Sequence, residues 1–355
     1  MNEATIEQFA PALIAWQKTH GRHDLPWQNT RDPYKVWLSE IMLQQTQVST
    51  VKDYFARFLA AHPTVASLAD ASLDEVLGLW SGLGYYSRAR NMHRCAQEVV
   101  ALHGGAFPQN AIALQTLPGI GPSTAAAIAS LCFSERVAIL DGNVKRVLTR
   151  LLGFDADLAK SANEKALWRI ATEVLPNPKN QADLWTAMPH YTQGVMDLGA
   201  SLCSTRKPNC LLCPVQTLCV ARLEGQPERY PVKTRTLKRS SESLWLLWAQ
   251  RADGAVFLEQ RPTPGVWAGL YCLPVFSSYE ALLAAVPPAD VPQLQDGTVF
   301  KHVLTHKDLH LHPVSLEASL KANFSKIQGK WFDKEAWSKL GLPAPVRKLL
   351  ASNAV

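Results

Sequence analysis

The sequence predicts a multidomain protein in which an all-helical region precedes a smaller α+β region. Three observations carry that prediction. Apolar residues recur every three or four positions through most of the stretch from Ala4 to Ala200, the period of helices with one buried face. From Glu224 to Ser240 the chain loses apolar content and gains Pro227, Pro231, Lys233, Arg235, Lys238 and Arg239, the composition of a linker with solvated charges. Beyond it, Leu244 to Trp248, Val256 to Glu259 and Leu309 to Val314 read as strands, the first two around an Asp253-Gly254 turn signal, with a helix at Tyr279 to Val286. The divisions fall at 1–224, 225–240 and 241–355, and 355 residues is length enough for two domains.

Taken in order, Ala4 to Lys18 is an amphipathic helix with Ile6, Phe9, Leu13 and Trp16 on its packing face. His23 to Thr30, which contains Leu25-Pro26-Trp27, is a loop. Tyr34 to Ala60 is helical, as one helix or two. In it Val36, Glu40, Leu43 and Gln47 form one stripe and Trp37, Ile41, Gln44 and Val48 the next, which seats Glu40 beside apolar neighbours. A carboxyl so placed holds its proton more tightly than a solvated one. Gln44, Gln45 and Thr46 add amide and hydroxyl groups suited to reading hydrogen-bonding edges. Ser72 to Trp80 opens on a capping box of Ser72 and Glu75. Gly82 to Asn91 then offers Leu83, Tyr85, Tyr86, Arg88 and Arg90 among glycines, rings to wedge between bases and guanidiniums to meet phosphate. A core tyrosine pair with solvated arginines is the plainer alternative.

Leu117 to Asn143 organises the rest. Gly119, Gly121 and Pro122 make a sharp turn, and Ser123 to Ser130 follow as an Ala-rich helix whose first N–H groups point outward, able to hold a phosphate without side-chain charge. Val137 to Leu140 then brings Asp141 to the head of a second helix, Gly142 to Leu152. Asp141 is on its own an N-cap; beside an anion-gripping turn it is also a candidate catalytic carboxylate. Beyond Gly153 the chain stays helical to Ala200, with a loop at Pro176 and Pro178.

Cys203, Cys210, Cys213 and Cys219 follow a C-x6-C-x2-C-x5-C spacing. Four thiolates match the ligand count of one [4Fe–4S] cluster; zinc also takes four, usually as two close pairs, and only Cys210 and Cys213 form such a pair. Cys95, Cys132 and Cys272 read as buried thiols. His302, His306, His310 and His312 cross a turn into a strand, a spacing that does not favour a metal. A net charge of +6 and pI of 8.9 suit a polyanion partner without requiring one. No apolar run approaches the ~18 residues of a membrane span, and Glu3 and Glu7 stand where an export signal carries positive charge, so a cytoplasmic or nucleoid location is expected and a disulfide framework is not.

Leu117-Pro118-Gly119-Ile120-Gly121 with Leu140-Asp141-Gly142-Asn143 resembles the hairpin and Asp loop of the helix-hairpin-helix DNA glycosylase superfamily, and the cysteine spacing its iron–sulfur branch. Leu38 to Thr46 and Gly82 to Tyr86 narrow the resemblance to its adenine-specific enzymes, which act on adenine opposite guanine or 8-oxoguanine. It implies a six-helix subdomain at about 29–137 and an iron–sulfur subdomain from 1–28 and 138–224. It also implies that Glu40 protonates adenine and activates water, that Asp141 stabilises the sugar cation, and that Asn143 positions the sugar and Asp141. Trp27, Leu43 and Gln193 would line the adenine pocket, while Gln44, Thr46, Leu83 and Tyr85 would surround the opposite guanine. Strand-cleaving relatives carry Lys where Ser123 stands; serine forms no imine, so base removal alone is expected. Gln260-Arg261-Pro262 and Gly265 to Tyr271 resemble the MutT-like, Nudix-type fold, without its Arg-Glu-x-x-Glu-Glu magnesium helix, so the tail is expected to bind the lesion. Leu304-Thr305-His306 stands where a Phe-Ser-His loop reads oxidised guanine in relatives, with Thr305 keeping the hydroxyl and His306 the imidazole. The expected partner is duplex DNA, met by a monomer away from membranes. An enzyme for oxidised pyrimidines and a silent iron–sulfur lesion sensor are the rival readings.

Overall fold

The structure, a computed structural model, describes residues 3–177, 181–234, 238–320, 322 and 324–352; Pro178 and Arg235 of the expected loop and linker lie outside them. In chain order the α-helices are α1 (Glu3–His20), α2 (Pro33–Leu43), α3 (Val48–Ala61), α4 (Val65–Asp70), α5 (Leu73–Leu79), α6 (Ser87–His103), α7 (Ala111–Leu114), α8 (Pro122–Phe133), α9 (Gly142–Leu152), α10 (Ser161–Glu173), α11 (Gln181–Ala200) and α12 (Val220–Leu223). The tail adds strands β1 (Ser240–Arg251), β2 (Val256–Gln260), β3 (Tyr271–Cys272), β4 (Val275–Phe276), β5 (Gln295–Asp296), β6 (Phe300–Val303), β7 (Lys307–Ala318) and β8 (Gly329–Phe332), with α13 (Tyr279–Ala285), α14 (Lys334–Lys339) and α15 (Ala344–Ser352). Residues 1–69 with 94–235 form one compact unit, and residues 70–93 with 236–355 a second.

The first unit is helical and its core is continuous: Phe9 and Leu13 of α1 share it with Ala126 of α8, Val144 and Leu148 of α9, and Met188 and Val195 of α11. Asp32 caps α2 by accepting the Tyr34 N–H, and Pro33 opens the first turn. The helix ends at Leu43, because Gln45 takes a left-handed φ of 58°. Gln44 to Gln47 therefore form a turn between α2 and α3, and the stripe that ran on to Gln47 stops one turn early. Asn110 caps α7, Gly119 takes φ 77° in the turn that follows, and Gly121 caps α8 ahead of Pro122.

In the second unit the strands run β3-β2-β1-β7-β5, with β4 on β1, β6 on β7 and β8 on β2. Strands β1 and β7 are parallel from Ser240↔Lys307 to Arg251↔Ala318. Both faces of β1 are covered: Leu244, Leu246 and Trp248 pack with Trp337 and Leu350, while Leu247 and Ala249 pack with Leu282 and Phe324. That double burial explains the unbroken apolar run Leu244 to Ala249, and pairing with β7 along twelve residues carries the strand beyond that run at both ends. Helix α5 and the glycine-rich segment after it belong here. Tyr86 donates to the Leu342 carbonyl at 2.9 Å and Arg347 to the Ser81 hydroxyl at 3.0 Å; a Cβ on Gly78 would stand 2.1 Å from the Lys339 carbonyl oxygen.

Candidate active site and nucleic-acid interface

Within the first unit a cleft of about 770 Å³ opens between α2, the turn after it, α8, the head of α9 and α11. Glu40 reaches it from α2 and Asp141 from the N-cap of α9. Trp27, Leu43, Gln44, Gln45, Thr46, Ser123, Asn143 and Gln193 also line it, so ten of the residues singled out from the sequence meet in one place. Trp27 is nearly buried and packs edge-on against Phe55. Gly119 and Gly121 shape the hairpin just before α8, where helix geometry leaves the first N–H groups without intrahelical partners and a Cβ on Gly121 would meet nothing.

The two carboxyls differ in their surroundings. Burial, and then the charge of Asp141, push Glu40 from 4.5 up to about 7. Asp141 accepts the Val144 N–H at 2.8 Å as a helix cap. Burial raises Asp141 despite its place at a helix start, outweighing the Val144 and Asn143 backbone donors and the charges of Arg146 and Lys145. Ser123 accepts the Leu140 N–H at 2.8 Å, tying the start of α8 to the residue before Asp141. Arg146 donates to the Asn143 side chain at 2.9 Å and to the carbonyls of Gly199 and Cys203, so Asn143 is held from beneath.

Sequence reasoning missed Arg22, Arg146 and Asp197. Asp197 is 1% exposed and accepts from the Arg22 guanidinium at 2.7 Å, the Arg22 N–H at 3.0 Å and the Gln193 amide at 2.9 Å. Its signal was present: an acid four residues after Gln193 inside the otherwise apolar stretch Gly194 to Ala200.

Cys203, Cys210, Cys213 and Cys219 line one small cavity beside Arg150. Among the described residues no three His, Cys, Asp or Glu side chains converge on a single-ion site. Arg150, 2% exposed, donates to the Ser204 and Thr205 carbonyls and, at 3.4 Å, to the Cys203 sulfur.

In the second unit Tyr85 is 44% exposed at φ 48°, and its hydroxyl meets that of Thr305. Leu83 is buried. His306 lies in the β6–β7 turn. Arg88 and Arg90 do not present themselves to phosphate as expected: Arg88, 8% exposed, turns inward to the Leu83 and Gly84 carbonyls, and Arg90 donates to the Ala268 carbonyl at 2.7 Å. Burial, which lowers both, marks them as braces of the loop.

Residues 38–173 match the family model described as "HhH-GPD superfamily base excision DNA repair protein", and residues 245–352 that described as "NUDIX domain". The chain is 36% identical over 346 residues to the adenine DNA glycosylase of Buchnera aphidicola subsp. Acyrthosiphon pisum (strain APS), covering 96% of each chain. It is 32% identical over 411 residues to the adenine DNA glycosylase of Rattus norvegicus, covering 98% of this chain and 78% of the relative. Among solved structures it is similar to a thermostable thymine-DNA glycosylase, with a TM-score of 0.53 at 29% identity over 62% of this chain and all of the other.

Proposed function

The chain belongs to the adenine DNA glycosylases, helix-hairpin-helix base-excision enzymes with a Nudix-type tail, and from that premise we propose that it excises adenine opposite 8-oxoguanine or guanine in duplex DNA by hydrolysis, leaving an abasic site. The observation that carries the reading is the cleft shared by a carboxyl poised near neutrality, Glu40, and a second carboxyl at a helix head, Asp141.

Adenine leaves poorly as an anion, so Glu40 gives its proton to N7. The C1′–N9 bond then breaks with its electron pair staying on the base, and positive charge develops on the deoxyribose. Asp141, served by backbone donors and by Arg146, faces that charge as a carboxylate. A water adds to C1′ and returns a proton to Glu40. Asn143, held by Arg146, orients the sugar; Trp27, Leu43 and Gln193 enclose the flipped base, whose extrusion costs a few kcal/mol. In the first unit Gln44, Gln45 and Thr46 offer hydrogen-bonding groups to DNA, and Gly119, Gly121 and the head of α8 hold a phosphate; in the second, Tyr85, Thr305 and His306, with Leu83 packed beneath, are the groups for the oxidised guanine. Ser123 has no amine with which to open the strand.

The four cysteines line one cavity, and their number and spacing fit a [4Fe–4S] cluster, which takes one thiolate at each of four irons. Buried Arg150, whose carbonyl partners are neutral, matches the negative charge such a cluster brings. It would brace the loop from Cys203 to Cys219. We infer a glycosylase region at 1–224, a linker at 225–240 and a lesion-binding region at 241–355, with residues 70–93 packed in the second compact unit, a monomeric state, and work wherever chromosomal DNA lies, the cytoplasm in a bacterium.

A labelled duplex bearing adenine opposite 8-oxoguanine tests the reading, with cytosine in place of adenine as control. Cleavage at the adenine, on the undamaged strand and only after alkali, is expected. Cleavage without alkali, or none at adenine, overturns it.

A further inference from the structure

Arg239 ends the basic linker, where its charge reads as solvated, yet its side chain is engaged. Strand β6 turns into β7 through Leu304, Thr305 and His306, and the Leu304 N–H donates to the Lys307 carbonyl at 2.8 Å to close the turn. Two consecutive carbonyls of that turn are then fixed, one by the residue before β1 and one by the first residue of β1. Arg239 donates through Nη1 to the Thr305 carbonyl at 2.8 Å, and the Ser240 N–H donates to the His306 carbonyl at 3.1 Å. The guanidinium is itself held by Asp308 through Nη2, and Asp308 also takes Lys301 Nζ at 2.7 Å from the neighbouring strand. The bond to the Thr305 carbonyl holds the peptide plane directly after the Thr305 Cα, and with the turn closed by Leu304 and Lys307 it limits the direction of the Thr305 side chain, whose hydroxyl meets that of Tyr85.

We infer that Arg239 is a positioning residue for recognition of the opposite base: it sets the Leu304 to His306 turn so that the Thr305 and Tyr85 hydroxyls stand as one pair toward the oxidised guanine. The inference rests on the proposed reading of Thr305 and Tyr85 as groups that face that base. Arg239 touches neither DNA nor the reacting atoms; it acts through the turn. Its cationic fork is needed because one donor serves the carbonyl while another is anchored on Asp308, which a single-point ammonium does less well.

The test compares single-turnover excision of adenine opposite 8-oxoguanine and opposite guanine. Arg239→Ala should slow the first by about 5- to 30-fold, the loss of one or two positioning bonds, and leave the second within about twofold. Arg239→Lys should recover part of the loss. Thr305→Val should show a similar selective loss, and the double variant should be no worse than Thr305→Val alone, because both changes disable one unit. Equal slowing on both duplexes, or additive losses in the double variant, would overturn the inference. Should Arg239→Ala fail to fold, Asp308→Asn decides by the same ratio. A wild-type enzyme with no preference for 8-oxoguanine would instead defeat the underlying reading of the loop, a different outcome from a preference that survives loss of Arg239.

Discussion

Replacing Glu40 by glutamine should cost activity and add stability, and both magnitudes follow from one feature of the site. Burial and the Asp141 charge raise the Glu40 carboxyl from 4.5 to about 7. In the unfolded chain the group ionises near its ordinary value, so neither state pays a penalty below about pH 4.5. As pH rises through about 7 the folded state must carry a charge in a poor setting, and the stability present at low pH is lost. The shift corresponds to roughly 3 kcal/mol at about pH 8, an upper bound because Glu40 keeps part of its surface open to the cleft. Glu40→Gln, neutral at every pH, should therefore be more stable than the parent at about pH 8 by up to roughly 3 kcal/mol and equal to it near pH 4.5 in urea melts. Its single-turnover excision should fall by about 10²- to 10⁴-fold, the worth of a positioned general acid. The parent should lose about tenfold in rate per pH unit above about 7, since only the protonated fraction donates. A glutamine variant that excises adenine at the parental rate, or a stability difference that does not change between the two pH values, would refute the reasoning.

Three further changes probe the framework around the cleft. Ser123→Lys should gain a sugar imine trapped by borohydride, absent in the parent, while losing the hydroxyl that accepts from Leu140. Asp197→Ala should destabilise by roughly 2–3 kcal/mol in denaturant melts, less than a fully buried pair because Arg22 is 32% exposed, and Asp197→Asn should recover part of it. Gly199→Ala would place a Cβ 2.7 Å from that of Asn143; moving Asn143 aside should cost about 1–3 kcal/mol and slow excision more than it weakens DNA binding.

Much of the cleft was legible because its residues lie in short motifs whose physics is local. The Gly119 turn, the Asp141 cap and the cysteine spacing each depend on neighbours within a few positions. Glu40 was legible from its stripe, although Gln45 ends the helix sooner than that stripe suggested. What escaped were pairings across the chain. Arg22 meets Asp197 from 175 positions away in the sequence, and nothing near Arg22 announces a buried acid. Arg88 and Arg90 were misread for a related reason: on a glycine-rich loop a charge reads as solvated, and only packing within the second unit turns them toward carbonyls. Strand β1 was read short because its middle, Leu244 to Ala249, is covered on both faces and does not alternate, while its first residues, Ser240 to Ser243, are polar.

The same force acts on both carboxyls, which is why their division of labour was not legible from a helix start alone. A helix dipole contributes about 0.3–1 kcal/mol at an exposed terminus, whereas removing a carboxylate from water costs more, and burial accordingly raises Asp141 as well as Glu40. What parts them is the supply of donors. Asp141 has the N–H groups of Val144 and Asn143 and the charges of Arg146 and Lys145 to favour its anion; Glu40 is set by burial and by Asp141. The coupling therefore has a direction: once one proton leaves the pair, the site with donors holds the charge, and that charge keeps the proton on the other. An acid ready to donate and an anion ready to stabilise a cation thus arise from one half-buried pair, and the Val144 and Asn143 N–H groups, followed by Arg146, which also holds the Asn143 side chain, favour Asp141 as the anion.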